Sequence, residues 1–119
     1  MRCPRRIGLA LLLSVASCGY ADRLHFVIPA GPGGGLDGTA REIGRTLKAI
    51  NQYKAISYEN MPGGGGGRAL SQYLENRSRY QDAVLVNSTP LIVRSLQGLF
   101  PQSYRDLTPI AGLIADYGI

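Results

Sequence analysis

Arg23-Leu24-His25-Phe26-Val27-Ile28-Pro29-Ala30-Gly31-Pro32-Gly33-Gly34-Gly35-Leu36-Asp37-Gly38 is the stretch that decides the fold. Its first part holds the apolar run Leu24, Phe26, Val27 and Ile28, closed by Pro and Gly, which predicts a buried strand over residues 23–29. Its second part, residues 31–38, is a glycine-rich loop with Asp37 or Thr39 available to cap a helix. Ala40, Ile43, Leu47 and Ile50 then recur at spacings of three and four, so residues 38–50 are predicted to form an amphipathic helix.

The same order returns twice. Residues 55–58 read as a second strand ending at Glu59-Asn60, followed by a glycine-rich loop over residues 61–67. The helix after it presents Ala69, Leu70, Tyr73 and Leu74 on its apolar face, and residues 76–82 form a polar connection. Residues 83–86 are a third strand, Asn87-Ser88-Thr89-Pro90 a third turn, and residues 91–99 a third helix with Pro101 just beyond. Residues 110–115 are expected to be a fourth strand. Alternation of this kind implies an α/β, Rossmann-like lobe: a parallel sheet with flanking helices and right-handed crossovers. Ligands of such sheets bind outside the carboxyl ends of the strands, and all three loops fall at that edge.

Composition sharpens the reading. A chain of 119 residues allows one domain, and its 45% apolar content excludes intrinsic disorder. Ten of the 16 glycines sit in two clusters, at 31, 33, 34, 35 and 38 and at 63–67, which excludes the every-third-residue spacing of collagen. The net charge of +5 suggests nucleic acid at first sight, but Arg2, Arg5 and Arg6 precede the apolar run of residues 7–15. A basic start, a short apolar stretch and a small-residue boundary are the parts of a secretory signal peptide, expected to occupy residues 1–21. Gly19-Tyr20-Ala21 offers a cleavage site giving a mature chain from Asp22, while Val15-Ala16-Ser17-Cys18 resembles a lipobox that would lipidate Cys18. Without the three leader arginines, 10 of the 13 basic residues face 8 acidic ones, a net of +2 and no nucleic-acid footprint. Both cysteines, Cys3 and Cys18, lie in the leader, and one histidine without a Cys/His cluster supports no metal site.

A glycine-rich loop opening a helix presents unpaired backbone N–H groups and the positive end of the helix dipole, which together attract anions. Two such clusters at equivalent points of successive units point to a ligand. Gly33-x-Gly35-x-x-Gly38 also matches the dinucleotide fingerprint, with Glu59 at the end of the second strand for the ribose. Against that stand the second glycine cluster directly after Glu59, the export leader and the long first loop. Thr39 stands where a P-loop needs Lys. Arg5-Arg6 matches a twin-arginine signal poorly. No catalytic constellation is legible: His25 lies within a strand, where a structural or edge role is expected, and Ser88 lacks a nucleophile-elbow context. Arg68, just past the five glycines, either pairs with an anionic ligand or faces solvent.

The loop Pro29-Ala30-Gly31-Pro32-Gly33-Gly34-Gly35-Leu36-Asp37 resembles the first signature loop of the TctC/Bug family, the periplasmic solute-binding proteins of tripartite tricarboxylate transporters. Glu59-Asn60-Met61-Pro62-Gly63-Gly64-Gly65-Gly66-Gly67 is similar to the family's second loop, with Met61 where Arg is usual. Tyr104-Arg105-Asp106-Leu107-Thr108-Pro109-Ile110-Ala111 is similar to the segment before its fourth strand. The resemblance implies a type II periplasmic binding protein that captures small carboxylates without a cofactor and delivers them to the membrane components of its transporter. It assigns ligand contacts to Ala30, Gly33, Gly34 and Asp37 in the first loop and to Gly64, Gly65 and Gly66 in the second. Asn87, Ser88 and Thr89 join them from the third turn, which differs from the commoner Thr-Ser-Gly. Family members continue into a second lobe, so residues 22–119 are expected to be the amino-terminal lobe alone.

Overall fold

The computed structural model describes residues 22–115. The expected leader over residues 1–21, with Cys3, Cys18 and the two candidate cleavage sites, lies outside the described residues. Within them the chain runs β1 (Arg23–Ile28), α1 (Gly35–Ala49), β2 (Ala55–Asn60), a 3-10 turn (Gly64–Gly66) and α2 (Gly67–Glu75). It continues through β3 (Ala83–Leu85), α3 (Thr89–Leu96) and a second 3-10 turn (Tyr104–Asp106). The three strands form one parallel sheet in the order β2-β1-β3. Arg23 to Ile28 pair one for one with Ala55 to Asn60, and His25 to Val27 pair with Ala83 to Leu85. The α/β reading and the three strand-loop-helix units are as expected.

The central strand shows why the sheet needs cover on both faces. Phe26, Val27 and Ile28 are all buried, and a strand buried on both sides reads as a continuous apolar run. Alternate residues divide between two cores. Leu24, Phe26 and Ile28 pack with Ala40 and Val86, backed by Leu36, Ile43 and Leu47 of α1. Val27 packs on the other face with Met61, Ala69 of α2 and Tyr80. The chain therefore winds to one side of β1 through α1 and back across it through α2, the doubly wound arrangement that opens a crevice where the winding reverses.

Gly44 sets the distance of α1 from the sheet. A Cβ there would clash with the Tyr58 hydroxyl oxygen and stand 3.2 Å from Ile56. Tyr58 is itself stacked on Phe26 at 5.5 Å between centroids, with the Arg41 guanidinium 4.8 Å above its ring. A mid-helix glycine costs about 0.5–1 kcal/mol relative to alanine; here it allows the helix to lie directly on β2.

Two expectations are corrected. Residues 110–115 form no strand, and Ile110 and Ile114 are each 77% exposed. An apolar run becomes a strand only where an edge accepts its backbone N–H and C=O groups, and this one meets none among the described residues. α1 starts at Gly35 rather than Gly38, with Gly34 as its N-cap residue, so neither Asp37 nor Thr39 is the cap.

Candidate functional site

The carboxyl ends of β1, β2 and β3 lie side by side, and backbone bonds continue past them. The Met61 N–H donates to the Ile28 carbonyl at 2.7 Å, and the Val86 N–H to the Val27 carbonyl at 3.0 Å. All three loops consequently leave the same edge. Asn60, the last residue of β2, ties the first two together: its Nδ2 donates to the Ala30 carbonyl and to Asp37 Oδ1, each at 3.0 Å.

Asp37 organises the first loop. Oδ2 accepts from the Gly33 N–H at 2.9 Å and from Arg41 Nε at 3.0 Å, and the residue is only 4% exposed. The Arg41 guanidinium, then the Gly33 amide and the Asn60 side chain, hold its carboxyl well below the usual carboxylate range. The i, i+4 spacing puts Arg41 on the same side of α1 as Asp37. The carboxylate is thus spent on fixing the loop's shape, in particular the left-handed Gly33, whose φ is +83°.

The second loop is built differently. Gly63, Gly64, Gly65 and Gly66 all have positive φ, at 131°, 60°, 63° and 98°. Four consecutive residues in this region are open only to glycine without strain. The Gly66 N–H closes the turn onto the Gly63 carbonyl at 3.1 Å, and α2 starts from Gly67.

All ten residues expected to touch ligand are at this edge, in unequal surroundings. Gly33 and Gly64 are exposed, and a Cβ on either would meet nothing within 4 Å. Gly34 is exposed, with the Gly31 carbonyl 3.5 Å from its Cβ position. Ala30 is half-buried, its carbonyl taken by Asn60. Gly66 is buried, and its Cβ would stand 2.9 Å from Leu91 of α3. Asn87, Ser88 and Thr89 are exposed where α3 begins.

Two residues make contacts at this edge that the sequence did not assign to the site. Asn60 is one. Arg94 is the other: its Nε and Cζ would stand 2.6 and 2.7 Å from a Cβ on Gly65, so the guanidinium lies over the second loop. Arg68 is farther out, its Cδ 3.5 Å from a Cβ on Gly63. The i, i+3 spacing of Leu91 and Arg94 places both on the α3 side that meets the glycine run.

Chemically the edge gathers three helix starts beside the buried carboxylate of Asp37. α1, α2 and α3 all begin here, and among the described residues no side chain caps any of the three. Their first-turn amides carry the partial positive charge of the helix dipole, and Arg94 adds a full one, while the Asp37 carboxylate in the first turn of α1 adds a negative charge that Arg41 faces. No group of three His, Cys, Asp or Glu side chains able to hold a metal occurs among the described residues, and none of their helices is long and apolar enough to cross a membrane. Comparison of the chain with protein-family models, curated proteins and solved structures returned no match.

Proposed function

We propose that this chain is a lobe of the type II periplasmic binding protein class, similar to the TctC/Bug proteins, that captures a small carboxylate between its glycine loops. One observation carries the reading: three helices start without side-chain caps at one sheet edge, two of them through glycine loops with open space around Gly33 and Gly64. Glycine exposes amides with no Cβ to block approach, and helix-start amides bind anions without side-chain entropy loss. Di- and tricarboxylates and amino acids are the ligand class, with no cofactor and no chemical turnover at this edge. Export by the leader to the periplasm, free from Asp22 or anchored through Cys18, and hand-over to the membrane components of a tripartite transporter complete the proposal.

The dinucleotide reading draws less support. Its third glycine lets helix and strand pack closely, yet a Cβ on Gly38 would meet nothing within 4 Å, whereas Gly44 is the close-packed one. Its ribose acid, Glu59, is held by His25, Arg79 and Tyr80.

A thermal-shift screen of the mature chain against succinate, citrate, glutamate and NADH tests the proposal. Stabilisation by a carboxylate, lost in Gly34→Val, is the expected result. Stabilisation by NADH alone would establish the oxidoreductase, and silence toward every compound would favour a non-functional remnant. Intact-mass measurement on protein from a bacterial envelope fraction reads the mature end; a chain retaining residues 1–21 in the cytoplasm contradicts export.

A further inference from the structure

At the amino ends of the strands, away from the glycine loops, lies an open surface hollow of about 250 Å³. That is about eight times the roughly 30 Å³ share of one water in the liquid, room for a short acyl group. Arg23, Leu24, His25, Ser57, Arg79 and Asp82 are among its lining residues. The register sets His25 of β1 beside Ser57 of β2, and Glu59 follows two residues on, on the same face.

Their side chains form a directed chain of hydrogen bonds. Glu59 Oε2 is 3.1 Å from His25 Nε2, and His25 Nδ1 is 2.7 Å from Ser57 Oγ. A carboxylate only accepts, so Nε2 carries the proton and Nδ1 offers its lone pair to the Ser57 hydroxyl. Glu59 is itself fixed, taking a bond from the Tyr80 hydroxyl at 3.3 Å and from the Arg79 guanidinium at 3.2 Å. The His25 ring stacks on Tyr80, 6.2 Å between centroids and 20° between planes. A nucleophile on a base, with the base oriented by a third group, is the arrangement that activates a hydroxyl, whatever the fold or the order in the chain.

We propose that Ser57 is an activated nucleophile that accepts the acyl group of short esters, with His25 as its base and Glu59 as the positioning residue. Ser57 Oγ bonds to the ester carbonyl carbon while its proton passes to His25 Nδ1. The carbon–alkoxy bond then breaks, and the departing alcohol takes that proton. Water attacks the acyl-serine, giving its proton to His25; the carbonyl–Oγ bond breaks, the acid leaves, and Ser57 regains the proton. Arg23 also lines the hollow, and a guanidinium there can lend positive charge to the oxygen that becomes anionic.

The mature chain is assayed with p-nitrophenyl acetate, and separately with a fluorophosphonate followed by peptide mapping. Expected are nitrophenolate release above buffer, a single adduct on Ser57, loss of release to background in Ser57→Ala, and a fall of about 10²-fold in His25→Ala. Glu59→Gln should lower kcat with KM unchanged, because it acts through His25. Since Ser57 is exposed on β2, Ser57→Ala is expected to keep the wild-type circular dichroism spectrum. Should it unfold instead, the adduct map on wild-type protein decides. Release that persists in folded Ser57→Ala, or an unmodified Ser57 in labelled wild-type protein, overturns the proposal.

Discussion

Gly66→Ala probes how the second loop is held. Two effects oppose the new methyl. At φ +98° and ψ −12° the backbone is left-handed, which costs a non-glycine residue about 1–2 kcal/mol. The methyl also arrives 2.9 Å from Leu91 Cδ1 and 3.4 Å from its Cγ; Leu91 is buried, so it has little room to yield, and overpacking of this kind costs about 1–3 kcal/mol. Reduced freedom of the unfolded chain returns only about 0.4–1 kcal/mol. The net loss is about 3 kcal/mol, a large share of the 5–15 kcal/mol that holds an ordinary domain together. For a domain of this size each kcal/mol lowers Tm by about 4–8 °C. Gly64→Ala is the control, since it shares the left-handed backbone at φ +60° but meets no atom within 4 Å. Urea unfolding followed by circular dichroism should place Gly66→Ala about 1–3 kcal/mol below Gly64→Ala. Adding Leu91→Ala should remove that difference, a coupling between touching residues. Equal stability of the two single variants would refute the packing of α3 on the glycine turn.

Protonation of Asp37 gives a second outcome. Its carboxyl is depressed in the folded state, so the stability it contributes is present above the ordinary carboxylate value of about 4 and drains away as pH falls below it. Tm followed from pH 6 downward should therefore drop more steeply in wild type than in Asp37→Asn, which is less stable at pH 6 and flatter below; parallel curves would contradict the assigned bonds. For the ligand edge, Arg94→Ala should weaken carboxylate binding about tenfold, roughly 1.4 kcal/mol, while Arg68→Ala, farther from the glycine run, changes it less. Calorimetric titration of both variants checks that order, and the reverse order would move the cation of the site to α2.

The parts written in local pattern were legible. Leu24 to Ile28 announced the central strand, and the spacing of Ala40, Ile43 and Leu47 announced α1. The two glycine clusters fell at the carboxyl edge of the sheet, because strand-loop-helix order fixes which end of a parallel sheet a loop leaves. What register decides was not legible. Ser57 and Glu59 alternate on β2, but only pairing with β1 brings His25 to them. Asp37 and Arg41 are one helical turn apart and readable in retrospect; Asn60, 23 residues away from Asp37, is not. Gly44 looks like a blemish in a helix until Tyr58 is found against it. The segment 110–115 failed for the converse reason: its residues suit a strand, but strand formation depends on a partner that local pattern does not specify.

Nuclear magnetic resonance of 15N-labelled residues 22–119, titrated with succinate and then citrate, tests carboxylate capture at the glycine loops most directly. Saturable shifts are expected in the amides of Gly33, Gly34, Gly35, Gly64 and Gly65 and in the first turn of α3, with the Ser57 amide unmoved. Shifts centred elsewhere, or spectra unchanged by every carboxylate at millimolar concentration, would contradict it.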